Sequence, residues 1–109
     1  MVEGSSFAID ERLDEDGALR LALRGELDVA VAGVLRWRLD ELKQRKEFVR
    51  LDLAGLEFMD SSGLQVVIMA LADSNQDGWR LEIAEEVTSP VARLIDLVGV
   101  RSHFWPGDD

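Results

Sequence analysis

Two serine hydroxyls and a carboxylate stand side by side in the segment 59–64, which reads MDSSGL. The surrounding pattern predicts that a loop becomes a helix at this point, and Asp and Ser are residue types that commonly cap helices. One interpretation is therefore structural: Ser61 or Ser62 is the N-cap of the helix, and Asp60 interacts favourably with the positive end of its dipole. On the residue types alone, this structural interpretation is the favoured one.

A chemical interpretation uses the same residues. Free backbone N–H groups at the start of a helix bind phosphate, so a phosphoserine in this segment would be tolerated electrostatically. Gly63 has no side chain beside the hydroxyls, which would let the backbone of a partner protein approach closely. A hydrolase built on Ser61 or Ser62 is a third alternative, but the sequence has no Gly-x-Ser-x-Gly context and a single imidazole, His103. An enzyme is therefore disfavoured.

The helix that follows the two serines is apolar on more than one face. Val66 and Met69 are apolar but point away from the stripe that faces the core. Such a helix is either buried on both sides or presents a contact surface to a partner, and both interpretations stay open. The stripe itself, at helical spacing, is Leu64, Val67, Ile68 and Leu71.

The elements that must position this segment follow from hydrophobic periodicity. Alternating residues predict a hairpin of two strands, and residues at i, i+3 and i+4 predict helices. The predicted elements are strands at 7–13 and 18–24, a helix at 31–42, a strand at 48–53, a loop at 54–60, a helix at 61–74, a strand at 79–84, a helix from an N-cap at Ser89 to a stop at Gly99, and a short edge strand at 101–105. This order predicts a single small α/β domain with a mixed sheet, covered by helices mainly on one face.

The first predicted helix adds two further expectations. Asp28 lies just upstream of it, as a cap or a first-turn carboxylate. Trp37 lies off its apolar stripe, so that it either contacts a partner or packs over the end of the helix, and the second interpretation is favoured. The stripe is Val31, Val34, Leu35, Leu39 and Leu42.

Length, composition and charge limit the class of protein. The chain has 109 residues, of which 47% are hydrophobic and 31% charged, and this balance is typical of one soluble globular domain. Its formal net charge of −10 argues against autonomous binding to nucleic acid or to a membrane surface. Residues 51–86 contain eight carboxylates and one basic residue, Arg80, which predicts an acidic surface around the middle of the chain.

The sequence also bears on location and cofactors. The first residues lack the basic flank and apolar stretch of a signal peptide, and no apolar run approaches the roughly 18 residues of a membrane-spanning helix. With no cysteine, disulfides and thiolate metal sites are excluded, and we expect a cytoplasmic protein without metal or cofactor. Residues 1–6 and 106–109 are expected to be flexible ends of a domain at 7–105.

Three segments carry a resemblance to a known family. The segment MDSSGL at 59–64, preceded by the strand LDL at 51–53, resembles the signature of bacterial anti-sigma factor antagonists, which belong to the STAS family. RGELD at 24–28 resembles the family's strand-to-helix turn, and SPVARL at 89–94 resembles its last long helix. The resemblance extends over residues 7–105 and implies a single STAS-like domain.

The resemblance implies a phosphorylation switch. In the family, the first Ser after the Asp is phosphorylated by a partner kinase that is itself the anti-sigma factor, and the matching residue is Ser61. The unphosphorylated protein binds the kinase and frees a sigma factor, phosphorylation breaks the complex, and a PP2C-type phosphatase resets it. Asp60 is expected to orient the hydroxyl, with Ser62, Gly63 and Asp28 beside it.

The residues expected to contact the partner are Glu26 and, on the second apolar face of the helix, Val66 and Met69. Gln65 departs from the best-known antagonists, which have a small residue after Gly-Leu. A Gln there also occurs in members tied to chemotaxis or lipid-transport operons, many of which lack the phosphorylatable Ser. The alternative is therefore a STAS scaffold subunit of a lipid-transport, chemotaxis or stress-sensing complex, in which Ser61 is only structural.

Overall fold

The computed structural model describes residues 6–107 and contains four strands and four helices in that range. In chain order these are β1 Phe7–Leu13, β2 Leu19–Leu27, α1 Val29–Gln44, β3 Val49–Met59, α2 Ser61–Asp77, β4 Leu81–Val87, α3 Ser89–Val98 and α4 Arg101–Phe104. The strands form one sheet in the order β1-β2-β3-β4. The first pair is antiparallel and the other two are parallel, so the predicted mixed α/β sheet is confirmed.

The sheet has one apolar and one charged face because side chains alternate along each strand. The apolar face forms the core beneath the helices. Its fully or nearly buried residues include Leu21, Leu23, Val49, Leu51, Leu53, Leu81 and Ile83. Helix α1 buries Ala32, Leu35, Leu39 and Leu42 against them. Val34, which periodicity places in the same stripe, is 55% exposed, since the buried face of α1 turns toward Ala32.

Arginines and carboxylates are cross-linked over the charged face. The Arg50 guanidinium lies 2.7 Å from Asp14 and 2.6 Å from Asp16. Arg20 bridges Asp14 and Asp52, at 3.0 and 2.8 Å. The hydrogen bonds from Arg50 lower the pKa of Asp16 from its ordinary value of 3.8 to about 2. The arginines and carboxylates of this face therefore neutralise one another.

The Asp16–Arg50 pair predicts an acid-sensitive component of stability. A carboxylate whose pKa is lowered on folding stabilises the fold above its unfolded pKa, and this stabilisation is lost as the pH falls through the folded pKa. We expect the melting temperature to fall between about pH 4 and pH 2, and Arg50→Gln to flatten that part of the profile. Arg36→Gln, which removes an exposed arginine without an ion pair among residues 6–107, is the control. An identical slope in Arg50→Gln and wild type would contradict the assignment.

Strand β3 is longer than the sequence predicts. It runs to Met59, so the prediction of a loop at 54–60 is wrong. Between Ala22 and Glu26, strand β2 advances four residues while β3 advances from Asp52 to Phe58. The two extra residues of β3 are accommodated as irregularities in its pairing with β2. They interrupt the alternation of apolar and polar residues by which a strand is recognised in a sequence.

The C-terminal segment is also different from the prediction. Residues 101–104 form a short helix, so the predicted edge strand at 101–105 is wrong. Phe104 and Trp105 are buried, and the Trp105 indole N–H donates to the carbonyl of Ile83 at 3.0 Å. These aromatic residues are typical of strands, but here their side chains, rather than their backbone, cover the edge of β4.

The start of α3 lies one residue earlier than predicted. The N-cap position is Thr88 rather than Ser89, and the Thr88 hydroxyl donates to the carbonyl of Leu56 at 2.7 Å. Gly99 ends the helix in the left-handed conformation, with φ of 80°, as predicted. No helix within residues 6–107 is both long and apolar enough to cross a membrane. Residues 1–5 and 108–109, in the ends expected to be flexible, lie outside the described residues, and the domain bounds 7–105 stay a prediction.

Candidate functional site

The serine segment lies where parallel strands end and helices begin. Leu27 and Met59, the last residues of β2 and β3, are paired in register. The N–H of Asp60 donates to the carbonyl of Leu27 at 3.1 Å. Asp28 and Asp60 therefore follow the two strands side by side, and the helices α1 and α2 start next to each other.

The two aspartates cap the two helices. One carboxylate oxygen of Asp60 accepts hydrogen bonds from the N–H groups of Ser62 and Gly63, at 2.9 and 3.1 Å. The Asp28 carboxylate accepts from the N–H of Ala30 at 3.0 Å, which confirms its prediction as a cap. The prediction that Ser61 or Ser62 is the N-cap of α2 is wrong: they occupy the first two helical positions instead.

This capping contradicts the prediction that free N–H groups at the start of α2 would bind a phosphate. The N–H groups of Ser62 and Gly63 are already bonded to Asp60, so they are not free to bind a phosphate on Ser61. The hydrogen bonds of the Asp60 carboxylate go to the backbone and not to the Ser61 hydroxyl. Ser61 is exposed, and within residues 6–107 its hydroxyl has no hydrogen-bond partner. The hydroxyl is therefore accessible from solvent.

Gly63 is required by the protein's own packing. A Cβ atom on Gly63 would lie 2.6 Å from Cγ of Leu27 and 3.1 Å from the Leu27 carbonyl oxygen. Both residues are buried. The expectation that Gly63 admits the backbone of a partner is therefore wrong, because the end of β2 fills that space. Sequence reasoning missed Leu27, since no local signal places it against the first turn of α2.

The ends of the three parallel strands carry carboxylates without cationic partners. We call these six residues the acidic edge: Glu26 and Asp28 at the end of β2, Glu57 and Asp60 at the end of β3, and Glu85 and Glu86 at the end of β4. In the part of the chain that the structure describes, none of them makes an ion pair. The carboxylates of the charged sheet face are paired with arginines instead. Glu26, Asp28, Glu57 and Asp60 follow the paired ends of β2 and β3, next to Ser61. Strand β4 ends at Val87, level with Leu53, so its two glutamates lie farther from the serine along β3.

Helix α2 presents a surface stripe that starts at the serine. Ser61, Gln65 and Met69 are exposed at positions i, i+4 and i+8, which fall on one face of a helix. Met69 is 51% exposed and Val66 beside it is half-buried. The interpretation that this helix is buried on both sides is therefore wrong, and contact with a partner stays a prediction.

A groove separates α1 from α2. It has a volume of about 180 Å³ and is lined by Arg36, Leu39, Asp40, Val66, Met69, Ala70, Asp73 and Trp79. The structure thus brings Val66 and Met69 together. Glu26 does not line this groove: it is half-buried on β2, opposite Phe58 of β3. Trp37 does not line the groove and is 65% exposed, so the interpretation that it packs over the helix end is wrong.

Comparisons with known proteins agree with this arrangement. A family model described as "Mlab, STAS domain" matches residues 12–102. The anti-sigma F factor antagonist of Paenibacillus polymyxa is 40% identical over 86 residues, which cover 77% of this chain and 73% of that protein. The anti-sigma-B factor antagonist of Bacillus subtilis (strain 168) is 29% identical over 85% of this chain and 84% of its own.

Solved structures show the same fold at low sequence identity. An anti-sigma factor antagonist from Mycobacterium paratuberculosis superposes with a TM-score of 0.78 at 21% identity, covering 91% of this chain and 83% of its own. The Bacillus cell fate determinant SpoIIAA in the phosphorylated form gives a TM-score of 0.66 at 18% identity, over 85% of each chain.

Proposed function

The chain belongs to the STAS domain family, and from that premise we propose that it is an anti-sigma factor antagonist controlled by phosphorylation of Ser61. The unphosphorylated chain binds an anti-sigma factor in the cytoplasm and so frees a sigma factor. The anti-sigma factor is a serine kinase that phosphorylates Ser61, and a PP2C-type phosphatase reverses the modification. The chain is thus a kinase substrate and a binding partner rather than an enzyme.

The observation that carries this proposal is the exposed Ser61 at the first position of α2. A kinase needs access to the hydroxyl, and this hydroxyl is neither buried nor engaged by other residues in the range 6–107. Asp60 caps the helix in its place, so Ser61 is not needed for the hydrogen bonds at the helix start. The side chain is therefore available for modification without loss of the fold.

A phosphate on Ser61 would act through charge. It adds about −1.5 to −2 charges next to Glu26, Asp28, Glu57 and Asp60, which make no ion pair within residues 6–107. The positive end of the α2 dipole favours this charge, which offsets the repulsion from Asp60 and lets the domain stay folded. A partner surface fitted to the neutral hydroxyl would face a bulky dianion, and the complex would dissociate.

The remaining site residues divide into supporting and contacting roles. Asp28, Asp60, Ser62 and Gly63 hold the starts of α1 and α2 together through their caps and the contact with Leu27. We assign direct contact with the anti-sigma factor to Val66 and Met69 on α2, and to Glu26 in the acidic edge. The exposed Gln65 between Ser61 and Met69 belongs to the same surface.

The scaffold alternative rests on Gln65 and is not favoured. The relatives are named as anti-sigma factor antagonists. Ser61 is present and exposed, whereas a scaffold has no need of a hydroxyl at a position that Asp60 already caps. A phosphorylated Ser61 is the property that separates the two functions.

Phosphate mapping tests the proposed function. The purified chain is incubated with ATP and each anti-sigma factor kinase of the source organism, and the phosphorylated residue is identified by mass spectrometry. We expect phosphate on Ser61, and none on Ser89, which is exposed at the equivalent first position of α3. Ser61→Ala should abolish the modification. Kinases that are active on a control substrate but leave Ser61 unmodified, or that modify Ser89 equally, would contradict the proposal.

A further inference from the structure

The helices α1 and α2 lie side by side in register. Their caps follow the paired residues Leu27 and Met59, so Val29 and Ser61 are the first residues of the two helices. Eight residues further on, about 12 Å along each helix axis, stand Trp37 and Met69. These two side chains are therefore at the same height, two turns away from the serine.

The side chains at this height are unusually exposed for their type. Trp37 is 65% exposed and Met69 is 51% exposed, whereas the other two tryptophans, Trp79 and Trp105, are 3% and 7% exposed. Trp37 follows Arg36, one of the residues that line the groove, and its own side chain points to solvent. Tryptophan is enriched among residues that dominate binding energy at protein interfaces. We call Trp37, Val66 and Met69 the distal patch.

We propose that the distal patch is a second contact site for the same anti-sigma factor that contacts Ser61. This inference rests on the proposed function. The distal patch is continuous with Ser61 through the exposed stripe Ser61, Gln65 and Met69, so one partner surface covers both.

Charge defines the chemistry of that partner surface. The acidic edge has six carboxylates without cationic partners in residues 6–107, and it calls for basic residues. Arg36 and Asp40 beside the distal patch carry opposite charges, and the patch itself is uncharged. The anti-sigma factor is therefore expected to place basic side chains over the acidic edge and an apolar side chain in the groove between α1 and α2.

The two contacts are expected to act on different rate constants. Exposed carboxylates steer a basic partner and raise the association rate, an effect that salt screens. Apolar contacts excluded from water slow dissociation instead. Substitutions in the distal patch should therefore raise the dissociation rate and leave the salt dependence of association unchanged.

Trp37 provides a direct optical readout. It is the one exposed tryptophan in the described range, so it dominates quenching of the chain's fluorescence by acrylamide. Adding the purified anti-sigma factor that binds the wild-type chain should shift the emission to the blue and reduce quenching. The same titration of the Trp37→Phe variant measures the fluorescence change that does not come from Trp37, including that of the partner. Quenching of Trp37 that is unchanged in a saturated complex would overturn the proposal.

Affinity measurements complete the test. We expect Trp37→Ala, and separately Met69→Ala, to weaken binding by at least about ten-fold, with unchanged melting temperatures because both side chains are exposed. Leu97→Ala, which truncates an 81% exposed residue on α3, should bind as the wild type does. Wild-type affinity in both distal variants would overturn this inference while loss of binding in Ser61→Asp still supported the proposed function. Wild-type affinity in Ser61→Asp as well would overturn both.

Discussion

Ser61→Asp is expected to weaken binding to the anti-sigma factor by about 30-fold or more, because a larger, charged side chain must be desolvated in an interface fitted to a neutral hydroxyl, at a cost of at least about 2 kcal/mol. The added carboxylate joins Asp28, Asp60 and the rest of the acidic edge, which has no cationic partner among residues 6–107 to neutralise it. Dissociation equilibria measured by titration calorimetry at constant ionic strength would give the ratio directly.

Ser61→Ala should bind as tightly as the wild type and resist phosphorylation. Its melting temperature should also be unchanged, since the N–H groups of Ser62 and Gly63 are bonded to Asp60 and not to the serine. If Ser61 were the cap, its loss would cost on the order of 1 kcal/mol. The pair of variants thus separates a role in binding from a role in folding.

A charge placed elsewhere serves as the control for this pair. Ser102 is exposed on α4, away from the ends of β2 and β3. Ser102→Asp adds one negative charge, so this variant has the same net charge as Ser61→Asp. It should bind like the wild type. Equal affinities for Ser61→Asp, Ser61→Ala and Ser102→Asp would contradict the proposal that phosphorylation of Ser61 controls binding.

Much of the fold could be predicted because its signals are local. The alternation of β2 and the helical spacing of α1 and α2 indicate a mixed sheet with helices on one face, which is what the structure has. The identity of the α2 cap could not be predicted, because Asp60, Ser61 and Ser62 are all capping types. The cap is decided by where β3 ends, and that depends on two pairing irregularities between β2 and β3.

The electrostatics of the site could not be predicted from the sequence, because they depend on which charged side chains meet in three dimensions. The sequence shows an excess of carboxylates in the middle of the chain, but not which of them are neutralised. Arg20 and Arg50 point to the charged sheet face and pair with carboxylates there, such as Asp14 and Asp52. The carboxylates at the strand ends are left without such partners. Only the common end point of β2 and β3 reveals that four of these carboxylates lie next to the start of α2 and Ser61.

Gly63→Ala is expected to destabilise the domain by about 1–3 kcal/mol, the cost of overpacking a filled site. The new Cβ would lie 2.6 Å from Cγ of Leu27, a fully buried side chain that has little room to move. The backbone carbonyl of Leu27, at 3.1 Å, prevents relief by a small shift of α2. Thermal or urea denaturation of the variant would measure the loss.

Gly33→Ala is the matched control, because Gly33 is exposed in α1 and nothing lies within 4 Å of its added Cβ. Replacing an unobstructed helical glycine by alanine should stabilise the domain by about 0.5–1 kcal/mol. The same chemical change is therefore expected to have opposite signs in the two helices. In a Leu27→Ala background, Gly63→Ala should cost less than in the wild type, since the obstructing side chain is gone. A stabilising Gly63→Ala, or an equal cost in both backgrounds, would show that contact with Leu27 does not set the position of α2 and of the serine at its start.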